Sequence, residues 1–174
     1  AMKNPLKSVD RVYPLAFDEI SNHDGYYFGV KNSLYLTNAM EEKLKQCSYY
    51  LHTRDQSSLG GRAIDINLKN PITGLPMTGS SSGTAINVFL GINDIGMGTD
   101  GGGSVLAPAV SLNLFSVIDP LLFYEERKKE NEKVSTDGIS FMPSIGLISR
   151  NLKLLRELYL KLRVLEDFNQ RVKI

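Results

Sequence analysis

Two glycine-rich loops hold the serines with the most unusual surroundings in this chain: TGSSSGTA at 78–85 and TDGGGSV at 99–105. Residues 96–103 contain five glycines, with Ser104 directly after the last three. Glycine removes the steric bar to unusual backbone geometry but loses more entropy on folding than other residues, so a chain that concentrates it needs its backbone to approach something closely. Ser104 is therefore a candidate nucleophile, a candidate phosphate ligand, or the end of a loop. Ser80 precedes it by 24 positions, with one short helix and one strand expected between them. A helix running out and a strand running back can return the chain to one edge, which would set the two loops side by side.

Several chemistries are disfavoured by the letters themselves. A phosphate-binding P-loop needs a lysine after its glycines, and none follows here. GMGTDG at 96–101 matches the dinucleotide fingerprint in spelling, but that fingerprint opens a helix, which Gly102, Gly103, Ser104 and Pro108 oppose. The G-x-S-x-G elbow of the serine hydrolases is absent around Ser104, and neither His23 nor His52 stands in a supporting motif. A serine nucleophile without histidine needs another base, and lysine serves when it is held neutral. Lys31 is the best placed, because it ends the apolar run YYFGV, whereas most other lysines lie in polar stretches. On its own, that position also fits a lysine that marks where a strand leaves the core.

The elements that must carry these residues are legible in part. Residues 26–31 read as a strand after the turn signal NHDG. LTNAMEEKLKQCSYYLH reads as a helix capped by Thr37 or Asn38, with Met40, Leu44, Cys47 and Leu51 on one face. Residues 53–82 are loop-rich, with one short strand at AIDINL. GTAINVFLG reads as a buried helix, IGMGT as a buried strand, APAVSLNLFSVI as a short helix then a strand, and GISFMPSIGLIS as strand and loop. The final stretch is expected to be a helix capped by Ser149, with Leu154, Leu155, Leu158, Leu162 and Leu165 on its core stripe. Leu152, Tyr159, Leu160 and Val164 widen that stripe and predict cover on more than one side. Strands alternating with helices point to a layered α/β/α fold with a mixed central sheet, as one domain over 1–174 with a charged connector at 124–136.

Composition narrows the partners. Twenty basic and nineteen acidic residues leave a net charge of +1, so no global field favours nucleic acid or an anionic membrane. Cys47 is alone and cannot form an internal disulfide, which suits a reducing compartment. No apolar run reaches the roughly 18–20 residues of a membrane span. The start, AMKNPLKSVD, lacks a signal-peptide core, so a cytoplasmic location is expected.

Taken together in order, GVKN (29–32), TGSSSGTA (78–85) and GTDGGGSVLAPA (98–109) resemble the amidase signature family, and FMPSIGLISRNLKLLRELYLKL (141–162) resembles a later segment of it. The likeness is dense over 78–109 and loose over the rest of 26–165. It implies a Ser–cis-Ser–Lys hydrolase of carbon–nitrogen bonds acting on a small amide, with Lys31 as base, Ser80 as relay on a cis peptide, and Ser104 as nucleophile. It implies an oxyanion hole from the backbone N–H groups of Gly101, Gly102, Gly103 and Ser104, with Ser81, Thr99 and Asp100 as supports. No metal and no cofactor are implied. Asn32 stands where the family carries Asp, and Leu106 stands where it carries an arginine that pairs with the Asp of the Thr-Asp step. The segment between Lys31 and Ser80 is short, and the part that builds much of the family's substrate pocket is missing. Two further readings follow: a non-catalytic binding or scaffold module on the same fold, and a catalytic half-protein whose missing half is covered by a second copy or a partner subunit.

Overall fold

The structure is a computed structural model that describes residues 3–22, 24–127, 133–134 and 137–171. The first part of the chain forms β1 (Val9–Val12), α1 (Leu15–Asn22), β2 (Tyr26–Lys31), α2 (Asn38–Gln46) and β3 (Tyr49–Asp55). Then come β4 (Ile64–Lys69), β5 (Pro76–Thr78), α3 (Ser82–Phe89), β6 (Ile95–Asp100), α4 (Leu106–Ser111) and β7 (Phe115–Asp119). The last part holds α5 (Tyr124–Arg127), β8 (Lys133–Val134), β9 (Ser140–Phe141), β10 (Ser144–Ser149) and α6 (Leu152–Arg171).

Six strands make the central sheet, in the order β1-β3-β2-β6-β10-β7. β2 runs parallel to β3 and to β6, while β1, β10 and β7 pair antiparallel with their neighbours. The fold is thus α/β with a mixed sheet. Phe28, Val30, Ile95, Met97, Ile145 and Leu147 face Met40 and Leu44 of α2 and Leu155, Leu158 and Leu162 of α6. Ile148 meets Ala85, Ile86 and Val88 of α3 and Val105 and Ala109 at α4, which supply the opposite layer. Burial of these side chains is the main favourable term, at roughly 25 cal/mol per Å² of apolar surface.

Local chemistry sets the boundaries, and some differ from expectation. The Thr37 hydroxyl accepts from the Met40 N–H at 3.2 Å and caps α2. That helix stops at Gln46 instead of running on to residue 52, because Ser48 takes a φ of +66° and Tyr49–Asp55 enters the sheet beside β2. Tyr-Tyr-Leu followed by the β-branched Thr53 fits a pleated surface better than a helix. α6 is capped two residues later than expected: Asn151 Oδ1 accepts from the Leu154 N–H at 3.2 Å, while the Ser149 hydroxyl donates to the Asp94 carbonyl. Leu155, Leu158 and Leu162 are buried as expected, but Leu152, Leu160 and Val164 are exposed, so the wide stripe is covered on one side only.

The charged connector is partly structural. Lys43 of α2 bridges Glu126 at 2.5 Å and Glu166 at 2.6 Å, which ties α5 and α6 to α2. Arg127 is fully buried and donates to the carbonyls of Leu122, Pro120 and Pro143, so one guanidinium fixes the chain on both sides of the connector. Residues 128–132 and 135–136 of the connector lie outside the described residues. No described helix is long and apolar enough to cross a membrane.

Candidate active site

The parallel strands β2, β3 and β6 end on the same edge, in Lys31, Asp55 and Asp100. Carboxyl ends of parallel strands are where open α/β sheets place ligand crevices. A cavity of about 370 Å³ opens there. Lys31, Ser80, Thr99 and Ser104 line it together with Gly101, Gly102 and Gly103, and Phe141 and Pro143 form part of its wall. The structure therefore gathers around one cavity the lysine, the two serines and the glycines singled out from sequence.

Lys31 is buried, and its Nζ donates to Ser80 Oγ at 2.6 Å and to Thr99 Oγ1 at 3.3 Å. Ser80 is also buried, and the Gly79–Ser80 peptide bond is cis. Backbone bonds hold the serine loop on both sides: the Gly79 N–H donates to the Ala63 carbonyl at 2.7 Å, and the Ser58 N–H donates to the Ser80 carbonyl at 3.1 Å. The Ser81 N–H donates to the Ser104 carbonyl at 3.0 Å, so the two glycine-serine loops touch directly. Ser81 Oγ is buried with no hydrogen-bond partner among the described residues. Behind the loop, Asp65 of β4 accepts from the Ser82 hydroxyl at 2.5 Å while also accepting the Asn67 and Leu68 N–H groups. That carboxylate anchors the start of α3.

The second loop is organised by Asp100. Its Oδ1 accepts from the Gly103 N–H at 2.6 Å, and its Oδ2 accepts from the Val105 and Leu106 N–H groups at 2.7 and 3.1 Å. Burial pushes its carboxyl pKa up, but the N–H groups of Val105, Gly103, Leu106 and Gly102 outweigh that, and the pKa lies below the ordinary aspartate value. Asp100 therefore does not need the arginine whose place Leu106 takes. The N–H groups of Gly103 and Gly102 are directed at Asp100, and Gly103 has a φ of +99°, which glycine adopts without strain. Gly101 and Ser104 remain as the candidate oxyanion donors of the loop.

Asn32, which follows Lys31, does not face the cavity chemistry. Its side chain accepts from the Ser57 hydroxyl at 2.6 Å and reaches Gln56 at 3.4 Å. His52 sits among Phe17 and Tyr27, with Nδ1 against the Ile92 carbonyl and Asn93 Oδ1, and is absent from the cavity lining. His23 lies outside the described residues. Among the described residues no group of three or more His, Cys, Asp or Glu could hold a metal ion. Sequence reasoning missed Asp55, Asp65, Arg127 and Phe141. Asp55 had one signal, the polar Thr-Arg-Asp closing an apolar strand.

Compared by structure, the chain matches an amidase family protein from Bacillus anthracis with a TM-score of 0.65, at 17% identity over 88% of this chain. The chain shares its fold with amidases. A 6-aminohexanoate cyclic dimer hydrolase matches at a TM-score of 0.64 and 17% identity over 91% of this chain. The allophanate hydrolase of Kluyveromyces lactis matches at 0.60 and 16% identity over 94%. This chain spans 38%, 39% and 33% of those three neighbours. Compared by sequence, it matches no protein-family model and no curated protein.

Proposed function

We propose that this chain is the catalytic core of an amide hydrolase, in which Ser104 attacks the carbonyl of a small amide. The observation that carries the reading is the 2.6 Å bond from Lys31 Nζ to Ser80 Oγ, on a cavity wall shared with Ser104. The reaction needs Lys31 in its neutral form, in which the short bond reverses: Nζ takes the proton of Ser80 as Ser80 takes that of Ser104, so Ser104 Oγ forms its bond to the carbonyl carbon as an alkoxide-like nucleophile. The carbonyl oxygen gains charge facing the backbone N–H groups of Gly101 and Ser104, each such donor lowering the barrier by about 3–4 kcal/mol. Collapse of the tetrahedral intermediate breaks the carbon–nitrogen bond, and the proton held by the Ser80–Lys31 pair goes to the departing amine. Water then gives its proton to the same relay and attacks the acyl ester, which frees Ser104. Thr99 steadies Lys31 from the second side, at 3.3 Å.

A fluorophosphonate probe read by intact mass tests this directly. The wild-type protein takes up one probe, Ser104→Ala takes up none, and Lys31→Ala labels about a hundredfold more slowly while keeping its circular dichroism spectrum. A folded wild-type protein that stays unlabelled overturns the proposal. So does labelling that survives Ser104→Ala.

A further inference from the structure

Beneath the cavity lies a buried polar chain that the reaction above does not use. Asp55 is fully buried, and its Oδ1 accepts from the Thr53 hydroxyl and from Asn87 Nδ2, both at 2.6 Å. Asn87 belongs to α3, and its Oδ1 accepts from the Ser8 hydroxyl at 2.6 Å. On the other side Thr53 Oγ1 accepts from Asn93 Nδ2 at 2.8 Å, and Asn93 Oδ1 meets His52. Asp55 Oδ2 and the Thr84 hydroxyl on α3 are both buried and fall short of good hydrogen-bonding geometry, and Thr84 joins Thr53 and Asn87 in favouring the charged carboxyl. The cluster lies against Gly29, two residues before Lys31, where any Cβ would run into the side chains of Asn93, Asp55 and Thr53.

Position gives this cluster its consequence. Asp55 is the register partner of Lys31 across the β2–β3 pair. α3 begins two residues after Ser80, and its Gly83 N–H donates to the carbonyl of Gln56, the residue after Asp55. We propose that Asp55 is a positioning residue for the serine loop: its carboxyl ties α3, which follows that loop, to the strand beside the one that ends at Lys31. The Thr53, Asn87 and Thr84 donors favour the charged carboxyl, but they do not replace the water it loses on burial, so ionisation drives the packing around the tie to open. Burial, which outweighs the hydroxyl and amide donors, lifts the carboxyl pKa to about 7.

Asp10 of β1 raises the proton affinity further. Lys31 of β2 already donates to Ser80 and Thr99. α3, whose sequence is SGTAINVF, brings no titratable side chain. His52 reaches the carboxyl only through Asn93 and Thr53, and burial lowers its own pKa despite the Asn93 and Ile92 bonds. Resting on the hydrolase reading, the inference predicts that the lysine–serine relay is held below neutrality and relaxes above it.

Hydrogen exchange at the Ser81 and Gly83 amides reads the tie without any turnover, since both donate to carbonyls across the loop. Wild type and Asp55→Asn are compared at the same pH, so that intrinsic exchange cancels. The two exchange alike near about pH 5.5, whereas near about pH 8.5 the wild type exchanges about tenfold faster. Asn87→Ala, which cuts the α3 end of the tie, exchanges fast at both pH values. A wild-type to Asp55→Asn ratio that does not change with pH overturns the inference. So does an Asn87→Ala protein as protected as wild type, which decides the matter if Asp55→Asn does not fold. Probe labelling run beside it separates the two proposals: silence at Ser104 with the exchange pattern intact removes the hydrolase reading and leaves the Asp55 tie standing.

Discussion

Of the central-sheet strands that end in buried aspartates, β3 and β6 hold their carboxyls in opposite ways. Asp100 closes β6 and accepts backbone N–H groups of the glycine loop on both oxygens. Asp55 closes β3 and accepts one hydroxyl and one amide on a single oxygen, with only the poorly aligned Thr84 hydroxyl to favour its charge further. Backbone N–H groups are fixed dipoles that cannot turn away, so they hold a carboxylate in its charged form. Hydroxyls and side-chain amides can rotate, and in a fully buried site they do not match what water gave the ion. One carboxyl thereby stays charged to lower pH than an ordinary aspartate and shapes a loop, while the other is roughly half protonated near pH 7. The difference lies in the partners, since the residue type and the place on the sheet edge are the same.

The largest effect is expected from breaking the first arrangement. Asp100→Ala strands the N–H groups of Gly103, Val105 and Leu106, and each lost bond to a charged group is worth about 1.5–3 kcal/mol. The expected outcome is loss of Ser104 labelling by about a hundredfold or more, with a clear drop in melting temperature by calorimetry. The sign with pH follows from the lowered pKa of Asp100: its stabilisation is present above the ordinary aspartate range and is lost as pH falls through the lower folded-state value. Asp100→Asn should therefore flatten the acid limb of the stability curve. An unchanged acid limb would show that another carboxylate governs it.

Asp55 predicts the reverse slope. Its folded-state pKa stands about three units above the unfolded value of 3.8, so the fold binds its proton more tightly than the unfolded chain does. Stability associated with it is full below about pH 4, falls as pH rises towards 7, and is gone above that. At about 1.4 kcal/mol per unit, the ionised group costs up to roughly 4 kcal/mol at alkaline pH. Asp55→Asn keeps the shape and removes the charge, so it should raise the melting temperature above about pH 7 and change little near pH 4. Equal shifts at both pH values would mean that Asp55 does not titrate in this range.

The two aspartates were not equally legible in the sequence. Asp100 stood beside three glycines and a serine, a pattern whose chemistry is local, so its loop could be read from the letters. Ser80 and Lys31 are distant in sequence, but each had its own local sign in a glycine loop or at the end of an apolar strand. The helices α2, α3 and α6 and the strands β2 and β6 were also visible in apolar spacing, because each buries one face. Asp55 had only weak local signs, since its network runs through Asn87 to Ser8 and through Thr53 to Asn93, and long-range polar networks leave no period. The turn at Ser48 was hidden for a related reason. Cys-Ser-Tyr-Tyr-Leu continues a helical spacing, and only pairing with β2 makes Tyr49 the start of a strand.

The smallest effect is the one that most sharpens the account of Asp100. Leu106 is half exposed at the start of α4, in the place where the resembling family carries an arginine. If Asp100 lacked partners, Leu106→Arg would supply the missing cation and speed labelling of Ser104. The Leu106 N–H already donates to Asp100 Oδ2, beside that of Val105, and the Gly103 N–H occupies Oδ1. A new guanidinium can then add only a solvent-screened ion pair, worth at most about 1 kcal/mol. The labelling rate of Leu106→Arg should accordingly stay within about twofold of wild type, with a small rise in melting temperature that fades in salt. A tenfold gain in labelling would mean that the backbone N–H groups do not satisfy this carboxylate, and the contrast with Asp55 would then rest on burial alone.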